Sequence, residues 1–357
     1  MHRINEELLA LLADGAYHSG EVLSARLGIT RAAIWKQVES MRRRGILIDS
    51  AGKRGYRMTM PDDPLFPPLM HAPGCRIEYS YETASTNARA TELARQGAEE
   101  GTLALAEVQT GGKGRRERCW ASPLGGVWCS LVLRPTRPPA EAQRIPLVTA
   151  VAIAEACEDT TGLKPGVKWP NDLLIGGRKL CGILLEMSVE AERVQYLTMG
   201  VGINVAQRSE DFPEEIRGTA TSLAIECGAP VKRGDVLRAF TERLWHWYRR
   251  LESGGDSFYH EVFMPAYVAR SVTLGRDVTV VSDAGTYAAH AETIGGSGEL
   301  IVRTADGTTQ AVWAADVSVR AASGASAPSG GGLMSPSRPP PGEPHLSLRR
   351  HLPLGGR

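Results

Sequence analysis

The stretch Gln109-Thr-Gly-Gly-Lys-Gly-Arg-Arg-Glu-Arg-Cys-Trp120 constrains this chain most, because three glycines and four cations in twelve residues suit neither a helix interior nor a buried strand. It must be a loop. Gly111, Gly112 and Gly114 permit φ > 0 and let backbone N–H groups approach a ligand, while Lys113, Arg115, Arg116 and Arg118 supply donors for phosphate or carboxylate oxygens. The spacing matches neither the P-loop, which ends in Gly-Lys-Ser/Thr, nor the dinucleotide fingerprint. On this segment alone, a nucleotide-phosphate clamp and a solvated basic turn stand level.

With 357 residues and 42% apolar content the chain can build two or three cored domains. A formal charge of +1 excludes wholesale coating by nucleic acid, yet residues 1–60 carry ten Lys/Arg against six Asp/Glu, so the positive excess is local. The six cysteines form no C-x-x-C and no Cys/His cluster, which excludes zinc-ligand spacing and a disulfide framework, and reads as reduced thiols. The first residues lack a signal-peptide apolar region, and the best apolar run, 145–157, is short and interrupted by Glu155. A cytoplasmic protein that enters no membrane is expected.

Residues 1–60 predict a winged helix-turn-helix. Ile4, Leu8, Leu11 and Leu12 fall at helical spacing; Ser19 caps a helix with Val22, Leu23 and Leu27; Gly28 turns the chain; Thr30 caps a third helix with Ile34, Val38 and Met41 inward. Gly45 ends that helix, and 46–48 and 56–58 pair around a turn at Gly52-Lys-Arg-Gly55. The third helix would present Arg31, Ala32, Trp35 and Lys36 to a major groove, with Arg42 to Arg44, Lys53 and Arg54 available to phosphates. The competing reading is a protein-interaction module with a solvated basic face.

Residues 61–74, with five prolines, read as a linker. Strand-like runs at 76–81, 102–108, 127–133, 179–187 and 196–205, with helical stretches near 87–96, 144–161 and 235–252, predict an α+β domain over 75–269, its mixed sheet carrying helices on one face. Short β runs at 272–274, 277–282, 287–294, 299–303 and 310–319 predict a small barrel over 270–320. Residues 321–357 hold seven prolines and seven glycines, which predicts a disordered tail.

A second segment, Lys168-Trp-Pro-Asn-Asp-Leu-Leu-Ile175 followed by Gly176-Gly-Arg-Lys-Leu-Cys-Gly182, reads as a strand, a two-glycine hairpin and another strand. Together the two segments carry a resemblance. The chain resembles the bifunctional biotin–protein ligase and biotin-operon repressor family, whose loop Gly-Arg-Gly-Arg-Arg-Gly-Arg-x-Trp is followed by Lys-Trp-Pro-Asn-Asp and Gly-x-Gly-Ile-Asn. Here these stand at 112–120, 168–172 and Gly200-Val-Gly-Ile-Asn204, with Ser85-Thr-Asn87 upstream, and the resemblance covers about residues 1–320.

The resemblance implies an SH3-like barrel at the C-terminus and two half-reactions: biotin and ATP, with Mg2+, give biotinyl-5′-adenylate, and a lysine of the biotin carboxyl carrier protein of acetyl-CoA carboxylase then takes the biotin. No protein nucleophile is needed; two anions must be brought together and the charge on phosphate neutralised. The implied biotin site comprises Ser85, Thr86, Asn87, Gln109, Lys113, Gly114, Arg115, Lys179 and Gly182. The implied adenylate site comprises Arg115, Arg116, Arg118, Trp120, Lys168, Asn171, Asp172 and Asn204, with Arg115, Lys179 and Lys168 as catalytic cations. Asp172 is a magnesium candidate or a partner that orients Lys168, and Gly182, Gly200 and Gly202 would let ligand approach the backbone. It also implies operator DNA as a partner and a homodimer formed on adenylate binding.

Plainer readings stay open beside these. Ser85 or Thr86 suits an ordinary helix cap, Lys179 a solvated turn lysine, Trp120 a core residue, and the strand glycines bulges. Trp128, Trp169, Trp245 and Trp247 are assigned to packing or interfaces. Glu117 stands where the family loop has glycine and Lys113 where arginine is usual; an acid beside an anion site opposes binding unless it pairs with Arg116 or Arg118. Two further function classes are a biotin-sensing DNA-binding regulator with weak turnover and a lipoate or octanoyl ligase.

Overall fold

In the computed structural model, Ser19 Oγ accepts from the Val22 N–H at 3.2 Å and Thr30 Oγ1 from the Ala33 N–H at 3.2 Å, so both predicted caps start helices. The described residues are 2–12, 14–43, 48–58, 63, 65, 71–282, 285–314 and 317–321. Helices α1 (His2–Leu12), α2 (Gly20–Leu27) and α3 (Arg31–Arg43) close on a core of Leu8, Leu12, Leu23, Ile34, Val38 and Met41. Gly28 takes φ 64° at the turn between α2 and α3. Strands β1 (Ile48–Ser50) and β2 (Tyr56–Met58) form the antiparallel wing. The expected helix stop at Gly45, the first two residues of the strand at 46–48, most of the linker and the tail from 322 lie outside the described residues.

The central sheet has seven strands: β3 (Arg76–Thr83), β4 (Thr102–Gln109), β5 (Gly126–Leu133), β6 (Gly166–Lys168), β7 (Asp172–Ile175), β8 (Arg178–Glu190) and β9 (Arg193–Asn204), in the order β3-β4-β5-β9-β8-β7-β6. It is mixed, since β3 and β4 run parallel and the other pairs antiparallel. One expected strand at 168–175 is in fact β6 and β7 joined by a turn through the cis Trp169–Pro170 bond. Pro170 has no N–H for a ladder, which is why the strand breaks there.

Helix α4 (Thr86–Arg95) corrects the expectation that helices cover one face. Leu103, Leu105, Leu131 and Leu133 point into the main core with α5 (Arg144–Thr161) and α7 (Arg233–Phe258), whereas Ala104 and Val132, on the opposite face, meet Ala90 and Ala94 of α4. Thirteen of the eighteen residues of α5 are buried, as a helix apolar on every side requires. Short helices α6 (Leu223–Cys227) and α8 (Met264–Val268) complete this part, and Trp128, Trp169, Trp245 and Trp247 are core residues as assigned.

The C-terminal strands β10 (Arg276–Ser282), β11 (Gly285–Ile294), β12 (Leu300–Thr304), β13 (Thr309–Val312) and β14 (Val317–Ala321) form an antiparallel sheet in the order β13-β12-β11-β10-β14. Among the described residues this is an open five-stranded sheet whose two edges do not pair with each other. The run 272–274 is a turn, not a strand: Thr273 and Leu274 donate backbone N–H groups to Ser271 Oγ at 3.2 and 3.1 Å. The run 310–319 divides into β13 and β14.

Candidate functional site

The C-terminal end of β4 and the N-terminus of α4 share one polar network. Ser85 caps α4, its Oγ accepting from the Ala88 N–H at 3.4 Å, so the plain cap reading holds. Gln109 Oε1 accepts from Thr86 N and Oγ1 at 2.8 and 3.0 Å, Gln109 Nε2 donates to Ser122 Oγ at 2.8 Å, and Ser130 Oγ lies 2.9 Å from Thr86 Oγ1. Asn87 Nδ2 donates to Glu186 Oε2 at 2.8 Å, while its Oδ1 is buried without a partner. A buried acceptor left alone is costly, and aimed at a cavity it asks for a ligand N–H.

The basic loop folds back as a narrow hairpin. Trp120 N–H donates to the Gly112 carbonyl at 2.9 Å, and Gly114 N–H to the Arg118 carbonyl at 2.7 Å. Gly112 must be glycine, since an added Cβ would stand 2.5 Å from the Trp120 carbonyl. At the tip, Arg116 and Glu117 take φ 56° and 57°, the left-handed region that favours glycine. Glu117 pairs with Lys113 at 3.5 Å.

The third wall comes from β6 to β8. Arg115 Nη1 donates to Asn171 Oδ1 at 3.2 Å, and Asn171 Nδ2 donates to the Ile183 carbonyl at 2.8 Å. Lys179 Nζ pairs with Asp172 Oδ1 at 2.8 Å and lies 5.0 Å from the Trp120 ring centroid. Asp172 therefore serves Lys179 and not Lys168, its ladder neighbour. Desolvation pulls the half-buried Arg115 guanidinium below its ordinary pKa, with Asp172 opposing. Gly202 and Gly182, adjacent in register, form the floor under the Trp120 indole: added Cβ atoms would stand 2.5 and 2.8 Å from it. These two glycines thus make room for the Trp120 indole. Gly200 gives Asn87 room, its added Cβ meeting Oδ1 at 3.1 Å. Asn204 Nδ2 is spent on the Thr221 carbonyl at 2.9 Å.

A cavity of about 330 Å3 joins these walls. Every expected ligand-site residue lines it: Ser85, Thr86, Asn87 and Gln109 on the polar side, Lys113, Gly114, Arg115, Arg116, Arg118, Lys168 and Lys179 as cations and loop, and Trp120, Asn171, Asp172, Gly182 and Asn204 between. The lining contains no histidine, and burial raises the Cys129 thiol of its wall far above neutrality. A second thiol, the exposed Cys119, also lines it, with no histidine in the lining to act as its base; cations and dipoles dominate, which suits joining two anions.

Residues 79–204 match the family model described as Biotin/lipoate A/B protein ligase family, residues 3–57 an HTH domain, and residues 273–320 the Biotin protein ligase C terminal domain. The bifunctional ligase/repressor BirA of Bacillus spizizenii is 33% identical over 326 residues, covering 88% of this chain and 98% of that protein; the Bacillus subtilis protein of the same name gives the same figures. The chain belongs to the bifunctional biotin–protein ligase and repressor family. Among solved structures, the Aquifex aeolicus biotin protein ligase in complex with biotin and ATP aligns with TM-score 0.59 at 27% identity, covering 69% of this chain and 99% of that one.

Within this family's pattern, the two departures in the loop turn out to be one, since Lys113 and Glu117 are each other's ion-pair partners. Several residues that support or line the cavity carried no sequence signal. Ser122, Ser130 and Glu186 support Gln109, Thr86 and Asn87 from positions up to 99 residues away. Phe212, Ile216, Thr219 and Ala220 enter from the loop that rejoins β8, where Lys179 N–H donates to the Thr219 carbonyl at 2.7 Å.

The nucleic-acid candidates lie apart from the cavity. Arg31, Ala32, Trp35 and Lys36 are exposed on α3, and Lys53 and Arg54 on the wing turn. Arg31 touches Glu21 at 3.2 Å and Arg54 stacks on Tyr17. Arg42 is not available to phosphate: it donates to the Ile48 carbonyl and Ser50 Oγ, holding the wing to α3. The Arg43 side chain and Arg44 lie outside the described residues.

Proposed function

We propose that the cavity carries out both half-reactions of a biotin–protein ligase. A biotin carboxylate oxygen attacks the α-phosphorus of ATP, the bond to the β-phosphate oxygen breaks, and pyrophosphate leaves. The lysine amine of a carrier-protein domain then attacks the acyl carbon, AMP departs, and the amine proton goes to solvent. The observation that carries this reading is the joining, in one cavity, of an orphaned buried acceptor, Asn87 Oδ1, with the cations Lys113, Arg115, Arg116, Arg118, Lys168 and Lys179. Ser85, Thr86, Asn87 and Gln109 would take the neutral ureido head of biotin. Arg115, Lys179 and Lys168 would neutralise charge growing on the α-phosphate, with Lys113, Gly114, Arg116 and Arg118 around the carboxylate and phosphates.

Trp120 and Asn204 would meet the adenine. Magnesium would arrive as MgATP, held through phosphate oxygens and water as that ion prefers, because Asp172 is already ion-paired and no group of three metal-ligating side chains gathers among the described residues. The exposed face of α3 and the wing would read operator DNA through Arg31, Ala32, Trp35, Lys36, Lys53 and Arg54, with a homodimer forming on the adenylate. The carrier would be the biotin carboxyl carrier protein of acetyl-CoA carboxylase, in the cytoplasm; no described helix is long and apolar enough to cross a membrane. We divide the chain at 1–60, 61–74, 75–269, 270–320 and 321–357, with an SH3-like barrel as the full form of the fourth part. Incubation with biotin, MgATP and a carrier domain, followed by mass spectrometry, tests the reaction: absence of both biotinyl-adenylate and biotinylated carrier would refute it.

A further inference from the structure

Trp169, inside the Lys168-Trp-Pro-Asn-Asp172 motif, spends both of its N–H groups on the C-terminal region. Its backbone N–H donates to Thr273 Oγ1 at 3.0 Å, and its indole Nε1–H donates to the Gly298 carbonyl at 3.1 Å. All three positions are held firmly. Trp169 and Thr273 are 1% and 3% exposed, and an added Cβ at Gly298 would stand 2.8 Å from the Gln143 carbonyl beside α5. Arg144, the first residue of α5, donates to the neighbouring Gly296 carbonyl at 2.5 Å. The strand leading into the motif is tied to the same region, the Val167 N–H donating to the Arg270 carbonyl at 2.7 Å and the Val167 carbonyl accepting from the Val272 N–H at 2.9 Å.

On the other side of Trp169 the motif reaches the cavity's cations. Asn171 Oδ1 holds Arg115 at 3.2 Å, and Asp172 Oδ1 holds Lys179 at 2.8 Å. We infer that Thr273 and the Gly298 carbonyl are positioning groups for adenylation: acting through Trp169, they set where Asn171 and Asp172 aim the Arg115 guanidinium and the Lys179 ammonium. The inference rests on the reading that these two cations meet the α-phosphate. A close-packed interior transmits a shift of one bonded indole to the residues next to it, and electrostatic stabilisation of a transition state depends on donors being fixed beforehand. Neither Thr273 nor Gly298 touches the cavity, so a pure holding role for the C-terminal sheet makes a different prediction.

The test uses the full chain with Thr273→Val, Thr273→Ser and Trp169→Phe, measuring single-turnover adenylate formation at saturating biotin and MgATP, biotin affinity and Tm. Thr273→Val should slow adenylation about tenfold or more, the scale expected when catalytic groups are slightly misplaced. Biotin affinity should fall much less than the rate, because Thr86, Asn87 and Gln109, the groups proposed for the ureido head, belong to β4 and α4. Thr273→Ser keeps the hydroxyl and should recover most of the rate. Trp169→Phe, which keeps a ring but loses the bond to Gly298, should behave as the valine variant does. A wild-type rate in Thr273→Val would overturn the proposal, as would parallel falls in rate, biotin affinity and Tm that serine does not reverse. Wild-type protein that forms no adenylate would instead overturn the functional reading, and this inference with it.

Discussion

Glu117 combines two local costs: a left-handed backbone angle of 57° on a residue with a Cβ, and a negative charge at the rim of a cationic cavity. Its contact with Lys113, between side chains 86% and 58% exposed, offsets little of this, because exposed pairs contribute no more than about 1 kcal/mol. Glu117→Gln keeps the strained angle and removes the charge, whereas Glu117→Gly removes both. The adenylate off-rate should fall in the order wild type, Gln, Gly, by up to about fivefold for each local term of about 1 kcal/mol. A faster loss from the glycine variant would mean that the Lys113 pair shapes the bound loop. Lys179 stands differently, held at 2.8 Å by Asp172 and facing Trp120. Lys179→Ala should slow single-turnover adenylation by at least about tenfold, or about 1.4 kcal/mol of transition-state stabilisation. An unchanged rate would return it to a structural partner of Asp172.

Among the elements, the most exacting pair is Arg233 at the start of α7 with Glu107 on β4, 2.6 Å apart and 2% exposed on each side. Glu107 also accepts from the Leu65 N–H at 2.8 Å, and Arg233 bonds Asp63, so the pair holds two residues of the segment that follows the wing. Arg233→Ala leaves a buried carboxylate alone and should cost about 3–5 kcal/mol in chemical denaturation, whereas Arg233→Ala with Glu107→Gln should recover a large part. Equal losses in the single and double variants would show that packing alone is at stake. Nothing in the sequence marks this pair, which joins positions 126 residues apart. What was legible is what repeats locally: the caps at Ser19 and Thr30, the glycine-marked turns, the apolar periods and the three ligand motifs. The face of the sheet that takes α4 was not legible, because 103–106 and 127–133 are nearly continuous apolar runs, broken only by Ser130, with no alternation to read. The turn at 272–274 was missed for a related reason: Val272, Thr273 and Leu274 read as a strand run, but the hydroxyl of Ser271 took the N–H groups of Thr273 and Leu274 instead.

For the whole molecule, the question is how a cavity in the central domain governs a helix-turn-helix with its own separate core. In the proposed dimer the adenylate orders the 111–118 loop, two copies associate, and two α3 helices are set at a fixed spacing to read a two-fold-related site. Only differential binding can drive such a switch, so operator affinity should rise when biotin and MgATP are supplied, by roughly five- to a hundredfold for a coupling of 1–3 kcal/mol. Linkage then requires operator DNA to favour the liganded dimer by the same factor. A carrier domain that consumes the adenylate must release the DNA. Deletion of residues 1–62 should abolish operator binding and leave ligation largely intact, since Asn87 bonds Glu186, Arg115 bonds Asn171 and Lys179 pairs with Asp172, all within the central domain. Gel-shift titration with biotin and MgATP, with and without carrier, measures the coupling directly. Equal operator affinity with and without the adenylate would leave a ligase carrying a DNA-binding domain, with no biotin-sensing link between the two.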